Sequence, residues 1–185
     1  MKRFLQKQAQ TAGFSLVEAL VAIAILLIAI VGPMTIAARG LQSAFFAREQ
    51  MRASLLAQEG VELVRRIRDE DALARRLWLA GMGVCSNQHG CGIDARGITA
   101  KNCQTSAECR LYYDVAPLGS ARGFYSHDSS GEATPFTRVI RVDPLSGNDE
   151  AEVSVAVSWE SGLFGGEKSV LVRSRIFDQY DYRRP

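Results

Sequence analysis

Four cysteines in one short stretch are the residues with the clearest chemical potential. They form two pairs with the same five-residue gap: Cys85 with Cys91, and Cys103 with Cys109. With His89 as an extra ligand they could hold zinc, but neither gap matches the short Cys-x2-4-Cys spacing of zinc knuckles. We therefore expect disulfide bonds and no metal. Pairing within each gap is the simplest choice, whereas a crossed pattern would close a longer loop and stabilise it more.

The two histidines, His89 and His127, both stand in polar loop sequence. Histidine is a common general acid or base near neutral pH, yet in such a loop it is far more often a solvated side chain. The chain has no Gly-x-Ser-x-Gly elbow, no phosphate-binding glycine loop and no His-Glu-x-x-His helix. We therefore predict a protein that is not an enzyme and needs no cofactor.

An acidic loop is a further candidate site, because its oxygens could hold calcium. It contains Asp143, Asn148, Asp149 and Glu150. A plain turn is the simpler interpretation.

Aromatic and basic side chains could together contact single-stranded nucleic acid, because bases stack on aromatic rings. The residues are Tyr112, Tyr113, Tyr180, Tyr182, Arg173, Arg175, Arg183 and Arg184. Three of the 22 basic side chains precede residue 14, and the rest nearly balance 20 acidic ones, so the chain has no strong positive field. We prefer ordinary sheet packing for the tyrosines and do not expect nucleic acid as a main partner.

An apolar segment near the N-terminus sets the organisation of the chain. The protein has 185 residues, too few for a large multidomain enzyme, and none of residues 19–38 is charged. About 20 such residues are enough to cross the hydrocarbon core of a bilayer as a helix. Lys2, Arg3 and Lys7 precede the segment and only Arg39 follows it closely. The positive-inside rule therefore predicts a single span with the N-terminus in the cytoplasm and the C-terminal part outside.

Glu18 stands among apolar residues at the start of this segment, after Gly13, Phe14 and a short basic leader. A carboxylate at mid-membrane costs roughly 2.5 to 3.5 kcal/mol, so it indicates function unless it lies at the headgroups. The arrangement resembles the class III signal of type IV pilins and type II secretion pseudopilins. The resemblance implies cleavage between Gly13 and Phe14 by prepilin peptidase and N-methylation of Phe14. It also implies that Glu18 meets the N-terminal amine of a neighbouring subunit.

Beyond the apolar segment the sequence stays rich in helix formers, and we expect one continuous helix over residues 14–68. Its apolar face is predicted to contain Phe45, Leu55, Leu56, Leu63 and Ile67. Charged residues interrupt that face: Arg48, Arg52 and Glu59. Gly32 and Pro33 indicate a weak point inside the apolar segment.

A second short helix is predicted to open at Asp69, Glu70 and Asp71, because acidic side chains favour a helix start, and to stop at Gly81 and Gly83. Alternating apolar residues then predict strands over residues 111–115, 136–142, 153–159 and 168–177, joined by turns at 144–148 and 161–166. The fold class is therefore α+β: a long N-terminal helix, its first half transmembrane, packed on a small antiparallel sheet in a pilin-like layout.

The expected organisation has five parts. They are a leader at 1–13, a transmembrane and filament-core segment at 14–38, an extramembrane helix at 39–68, a short helix and cysteine loop at 69–110, and the sheet at 111–185. The last two strands are similar to the final hairpin of minor, V-type pilins and I-type pseudopilins.

The resemblance implies a structural subunit, of the minor kind, in a type IV pilus or pseudopilus. Its partners would be prepilin peptidase, other subunits, an inner-membrane assembly platform and membrane lipid. It would be a single-pass inner-membrane protein first and part of a surface or periplasmic filament later. The alternative is a membrane-anchored extracytoplasmic module that binds a ligand or DNA and does not polymerise.

Overall fold

The computed structural model describes residues 13, 15–97, 99–114, 123–145, 149–160 and 165–179. The chain divides into two compact units, Met1–Phe45 and Phe46–Pro185, which we call the N-terminal unit and the body. The helix α1 is Leu16–Leu73, and two 3-10 helices follow at Ala80–Ser86 and Ser106–Cys109. The strands are β1 (Cys91–Ile93), β2 (Ala100–Asn102), β3 (Arg110–Tyr113), β4 (Tyr125–Ser126), β5 (Glu132–Pro144), β6 (Glu150–Glu160) and β7 (Glu167–Phe177).

The N-terminal unit consists, in its described part, of the apolar beginning of α1. By length and composition the helix is long and apolar enough to cross a membrane. It continues through Pro33 without interruption. The hydroxyl of Thr35 donates to the carbonyl oxygen of Gly32 at 2.8 Å, which offers that peptide an extra partner close to the proline. The expected weak point is thus helical in this structure.

In the body, one face of α1 packs on the sheet. Its buried residues are Ala53, Leu56, Ala57, Gly60, Val61, Leu63, Val64, Ile67, Asp71 and Ala72. Small residues let the helix come close, since a Cβ atom on Gly60 would lie 2.8 Å from Cγ1 of Val155 on β6. The narrow contact face therefore depends on residues that look unremarkable in the sequence.

The predicted apolar face was only partly right. Leu56, Leu63 and Ile67 are buried as expected, whereas Phe45 and Leu55 are exposed. Neighbouring helix residues point about 100° apart, so Leu55 points away from the face that Leu56 occupies. The true contact face combines alanines and a glycine with large apolar residues.

The sheet is antiparallel and centres on β5, which pairs with β1 and β3 on one side and with β6 on the other. β6 also pairs with β7, and the register places Ile140, Val155 and Val172 side by side. Along β6 the alternate residues from Ala151 to Trp159 are buried, as the period-2 pattern predicted. The α+β prediction is confirmed: a long helix packs on an antiparallel sheet.

The four predicted strands are present, but their ends are shifted. For example, β5 is longer at both ends than predicted, and β3 ends at Tyr113. Residues 115, 146–148 and 161–164, where the end of one strand and parts of two turns were expected, lie outside the described residues. β1 and β2 lie in the cysteine segment, where the sequence indicated only a loop. Three-residue strands are too short for a recognisable alternation.

The helix α1 ends with hydrogen bonds that close back on its last turn. The backbone N–H of Arg75 donates to the carbonyl of Ala72, and that of Arg76 donates to the carbonyl of Asp71 at 2.8 Å. These bonds form a Schellman cap, which needs a left-handed residue, and Arg75 supplies it with φ of 54°. A glycine would take this conformation with less strain.

The prediction of a second helix opening at residue 69 was wrong, because residues 69–71 belong to the last turn of α1. Acidic side chains are unfavourable there because the C-terminal end of a helix dipole is negative. The buried carboxylate of Asp71 is compensated by Nε of Arg76 and the backbone N–H of Gly81, each at 2.8 Å. Gly81 lies inside the 3-10 helix Ala80–Ser86 and does not end a helix.

Candidate functional site

The start of α1 places the residues of the expected signal. The carbonyl of Ser15 accepts the N–H of Ala19 at 3.1 Å, so the helix is fully formed within a few residues of Gly13. Gly13 is exposed, with no atom close to where a side chain would begin. Glu18 lies in the first turn, where a carboxylate favours the helix dipole. Phe14 lies outside the described residues.

The apolar beginning of α1 has no covering layer in the described part of the chain. Every side chain at positions 15–41 is exposed, including a nearly continuous run of leucine, isoleucine and valine. Burying one such side chain is worth about 1.5 to 3 kcal/mol, so this surface is costly in water. It requires lipid or other apolar helices around it.

A comparison with family models decides what this segment is. Residues 9–32 match the prokaryotic N-terminal methylation motif. The chain carries a class III signal of type IV pilins. The match includes the glycine, the following phenylalanine and Glu18, together with most of the apolar segment. The N-terminal region is therefore that of a pilin- or pseudopilin-type precursor anchored in the inner membrane.

No curated protein and no solved structure matches the chain. The motif covers 24 of 185 residues, so it identifies the signal and leaves the body to be interpreted from its own contacts.

In the body of this pilin-type precursor, the four cysteines form two disulfide bonds. Cys85 pairs with Cys91 and Cys103 with Cys109, with Cα–Cα distances of 4.7 and 5.6 Å. This is the pairing within each gap, and the crossed pattern does not occur. A zinc site would need free thiolates, which these bonds consume. The first bond joins the end of the first 3-10 helix to the start of β1. The second bond closes the segment that contains the second 3-10 helix.

His127 differs from the solvated side chain that the sequence predicted. It is half-buried, its Nδ1 lies 3.1 Å from the carbonyl oxygen of Arg110, and its Nε2 is buried without a partner. The ring covers Gly92, where a Cβ atom would lie 2.8 Å from Nε2. Burial and the charge of Arg138 lower the pKa of His127 to about 4, so the ring is neutral at pH 7. His89 is exposed, as expected.

The acidic loop gives little support to a calcium site. Asp143 is exposed at the end of β5, Glu150 faces Arg175 at 3.8 Å, and Asn148 lies outside the described residues. The described residues contain no group of three or more histidine, cysteine, aspartate or glutamate side chains placed to hold a metal.

The tyrosines and arginines proposed for nucleic acid do not form one surface in the described part of the body. Tyr113 packs edge-on against Tyr125 at 5.4 Å, and Tyr112 is half-buried. Arg173 is 3.9 Å from Glu152, and Arg175 faces an acidic neighbour in the same way. The remaining members, Tyr180, Tyr182, Arg183 and Arg184, lie outside the described residues.

Sequence reasoning missed Arg138, which is completely buried between the helix and the sheet. Its guanidinium donates to the carboxylate of Glu59 at 3.1 Å, to the carbonyl of Leu56 at 3.3 Å and to the carbonyl of Ile93 at 3.0 Å. It thus joins α1, β5 and β1. Burial lowers the pKa of Arg138, and the Glu59 carboxylate opposes that shift.

A signal for this cation was present in the sequence. Phe136, Ile140 and Val142 mark the inward positions of β5, and Arg138 occupies the same alternating set. A charged residue at an inward position needs a partner of opposite charge. Glu59, which interrupts the apolar face of α1, is that partner.

Proposed function

We propose that this protein is a minor structural subunit of a type IV pilus or pseudopilus, and that it is not an enzyme. One observation carries the proposal: a methylation motif at residues 9–32 heads a helix whose apolar side chains have no cover in the described part of the chain. Such a helix needs a membrane before assembly and a bundle of similar helices afterwards.

The proposed pathway begins with a precursor whose N-terminus is in the cytoplasm. Prepilin peptidase cuts between Gly13 and Phe14, and the new N-terminal amine at Phe14 is methylated. The exposure of Gly13 fits access by a peptidase. Cleavage is required because the amine does not exist until the leader leaves.

Glu18 would then act as the charge that sets the position of each new subunit. A carboxylate buried alone among apolar helices is costly, whereas one paired with an ammonium group is tolerated. The amine of a neighbouring subunit supplies that group. A subunit that enters at the wrong height leaves both charges unpaired, so the pair favours one stagger between helices.

An inner-membrane assembly platform would extract the cleaved subunit into a growing filament, with the body outside the membrane at the surface or tip. Two features favour a minor subunit over a major one. The body carries a disulfide-linked segment between α1 and the long strands, and the exposed side of α1 is broken by Arg48 and Arg52. Repeated packing of one subunit type would favour a more regular apolar surface.

The test is intact mass and N-terminal sequencing of the full chain expressed in a host with prepilin peptidase. We expect a chain that starts at methylated Phe14. Gly13→Val should leave the leader attached, whereas Gly32→Ala, at a glycine with equally open surroundings, should be processed normally. A wild-type chain that still starts at Met1 would sink the proposal and favour the anchored binding module that does not polymerise.

A further inference from the structure

The outer face of the sheet, opposite α1, holds an open groove of about 320 Å³. Its floor is formed by three apolar side chains that lie side by side in the register of β5, β6 and β7: Val139, Ala156 and Leu171. Leu171 is 52% exposed, although an outward position on a sheet is usually polar. The groove therefore offers an apolar surface that the described part of the chain leaves open.

Two cross-linked segments form the wall of this groove. One contains Gln88 and His89, just before Cys91 of the first disulfide, and the other runs from Cys103 through Thr105 inside the second. Each segment is thus tied down by its own disulfide bond.

Hydrogen bonds fix the two segments to each other. Oδ1 of Asn87 accepts the backbone N–H groups of His89 and Gly90, both at 2.8 Å, and its Nδ2 donates to Asn102 at 2.9 Å. The N–H of Cys103 donates to the carbonyl of Gly90 at 3.2 Å. The wall is therefore in place before any ligand arrives, which lowers the entropy cost of binding.

Gly90 allows this wall to come close to the sheet. Its φ is 73°, and a Cβ atom there would lie 2.7 Å from the carbonyl oxygen of Ile140. Any other residue would push the segment away from β5 and widen the groove.

The groove has an uneven charge. Among the lining residues that the structure describes, Arg141 is the one with a formal charge. It donates to the carbonyl of Gln88 at 2.8 Å, which holds the guanidinium at the rim. The other polar groups of the rim are amides, hydroxyls and an imidazole. Nearby on the same face, Asp143 lies beyond Arg141, and Glu152 is 3.9 Å from Arg173. A carboxylate at the rim would meet a cation, whereas an ammonium group would find no opposite charge among the lining residues that the structure describes. The Glu108 carboxylate borders the rim, but its Oε2 already accepts the backbone N–H of Gln104 at 2.8 Å.

We propose that this groove binds an acidic, aliphatic peptide segment of a partner protein. A glutamate or aspartate of that segment contacts Arg141, and an aliphatic neighbour packs on Val139, Ala156 and Leu171. The open form suits a peptide, because the amide of Gln104 and the hydroxyl of Thr105 can bond a backbone that remains at the surface. The proposal does not depend on cleavage at Gly13 or on polymerisation.

The test uses the full, oxidised chain in detergent micelles and the peptide N-acetyl-Leu-Glu-Leu-amide, followed by amide NMR shifts. We expect saturable shifts at Gln88, Gln104 and Arg141 in the low-millimolar range. The matched peptide with glutamine in place of glutamate should bind about ten-fold more weakly, because it loses a charge-assisted hydrogen bond.

Two variants and one control assign the effect. Arg141→Gln should bind both peptides equally and weakly. Leu171→Ser should weaken the binding of both peptides and keep the preference for glutamate. If Arg141→Gln fails to fold, Leu171→Ser still tests whether the apolar floor contributes to binding. Arg175→Gln, which removes an exposed arginine outside the lining, should bind as the wild type does.

Three results would overturn the proposal. One is the absence of saturable shifts, and another is an unchanged glutamate preference in Arg141→Gln. The third is that acetate alone gives the same shifts at the same concentrations, since the apolar floor would then contribute nothing.

Discussion

The N-terminal unit and the body treat their apolar side chains in opposite ways. In the body, inward residues such as Val153, Val155 and Val157 are completely buried between α1 and the sheet. In the N-terminal unit, every side chain from 15 to 41 is exposed. Burial of apolar area drives folding, so the body is stabilised by contacts within its own chain. The N-terminal unit depends instead on the lipid or apolar helices around it. Substitutions in the two units should therefore have separable effects.

The largest effect should come from Glu18→Ala, which removes one partner of the proposed charge pair. We expect loss of assembled filament, because the amine of Phe14 would be buried without a counter-charge. The melting temperature of the body should not change. Filament recovery from sheared cells and thermal unfolding of the detergent-solubilised chain measure the two.

Glu62→Ala is the matched control for Glu18. Its carboxylate is exposed on α1 and pairs with Arg65 three residues later. Assembly should be retained in this variant. If Glu18→Ala also assembles normally, the Glu18 carboxylate is not needed for assembly. The proposed charge pair of the N-terminal unit would then be wrong.

In the body, Arg138→Ala should lower the free energy of unfolding by about 3 to 5 kcal/mol, because it removes one partner of a buried ion pair and leaves a cavity. Denaturant unfolding followed by the fluorescence of Trp78 and Trp159 reports this change. Arg173→Ala, at an exposed pair, should cost at most about 1 kcal/mol. An equal loss in the free energy of unfolding for the two variants would contradict a stabilising role for the buried Arg138.

His127 predicts a dependence of body stability on pH. Its pKa is about 4 in the folded protein and 6.5 in the unfolded chain, so below pH 6.5 the unfolded chain binds a proton that the folded one does not. The contribution of His127 to the free energy of unfolding is therefore complete above pH 6.5. It is lost as the pH falls toward 4, by up to about 3 kcal/mol.

Chemical unfolding at several pH values tests this, with His127→Gln as the variant and His89→Gln as the exposed control. The first substitution should flatten the slope between pH 6.5 and pH 4, and the second should leave it unchanged. The same slope in His127→Gln as in the wild type would assign the effect to groups other than His127. Asp128 would not be one of them, because its pKa is lowered by hydrogen bonds from Ser130 and its contribution is lost only at a pH below this range.

The smallest effect should be a gain. Arg75→Gly places glycine at the left-handed position that closes α1 and should stabilise the body by about 1 kcal/mol. Arg75→Ala keeps the Cβ atom and should give no such gain. A thermal shift of equal size in both variants would show that the arginine side chain, and not the backbone strain, sets the cost.

The sequence was most informative where one physical requirement dominates. A membrane demands an unbroken apolar run, so the charge at Glu18 and the glycine before Phe14 stand out against it. The strand β6 was equally clear, because a sheet with one buried face requires strict alternation.

Features that depend on contacts distant in the sequence were harder to predict. Glu59 and Arg138 form a pair across 79 positions. Glu59 alone was seen only as an interruption of an apolar face, and Arg138 was missed. His127 is in polar sequence but lies over Gly92, which only the fold brings beneath it. The acidic run at residues 69–71 suggested a helix start, but it ends α1. Arg76 and Gly81, which compensate the buried Asp71, lie beyond the end of the helix and meet its carboxylate only in the folded chain.

The two disulfide bonds have a consequence for how the precursor is made. Each joins cysteines only six positions apart, whereas any other pairing must join more distant ones. Loop closure favours the nearer partner. The correct bonds can therefore form while the chain is still emerging, before β5, β6 and β7 have been synthesised. A cell that makes this precursor would need an oxidant for it, but little help from an isomerase.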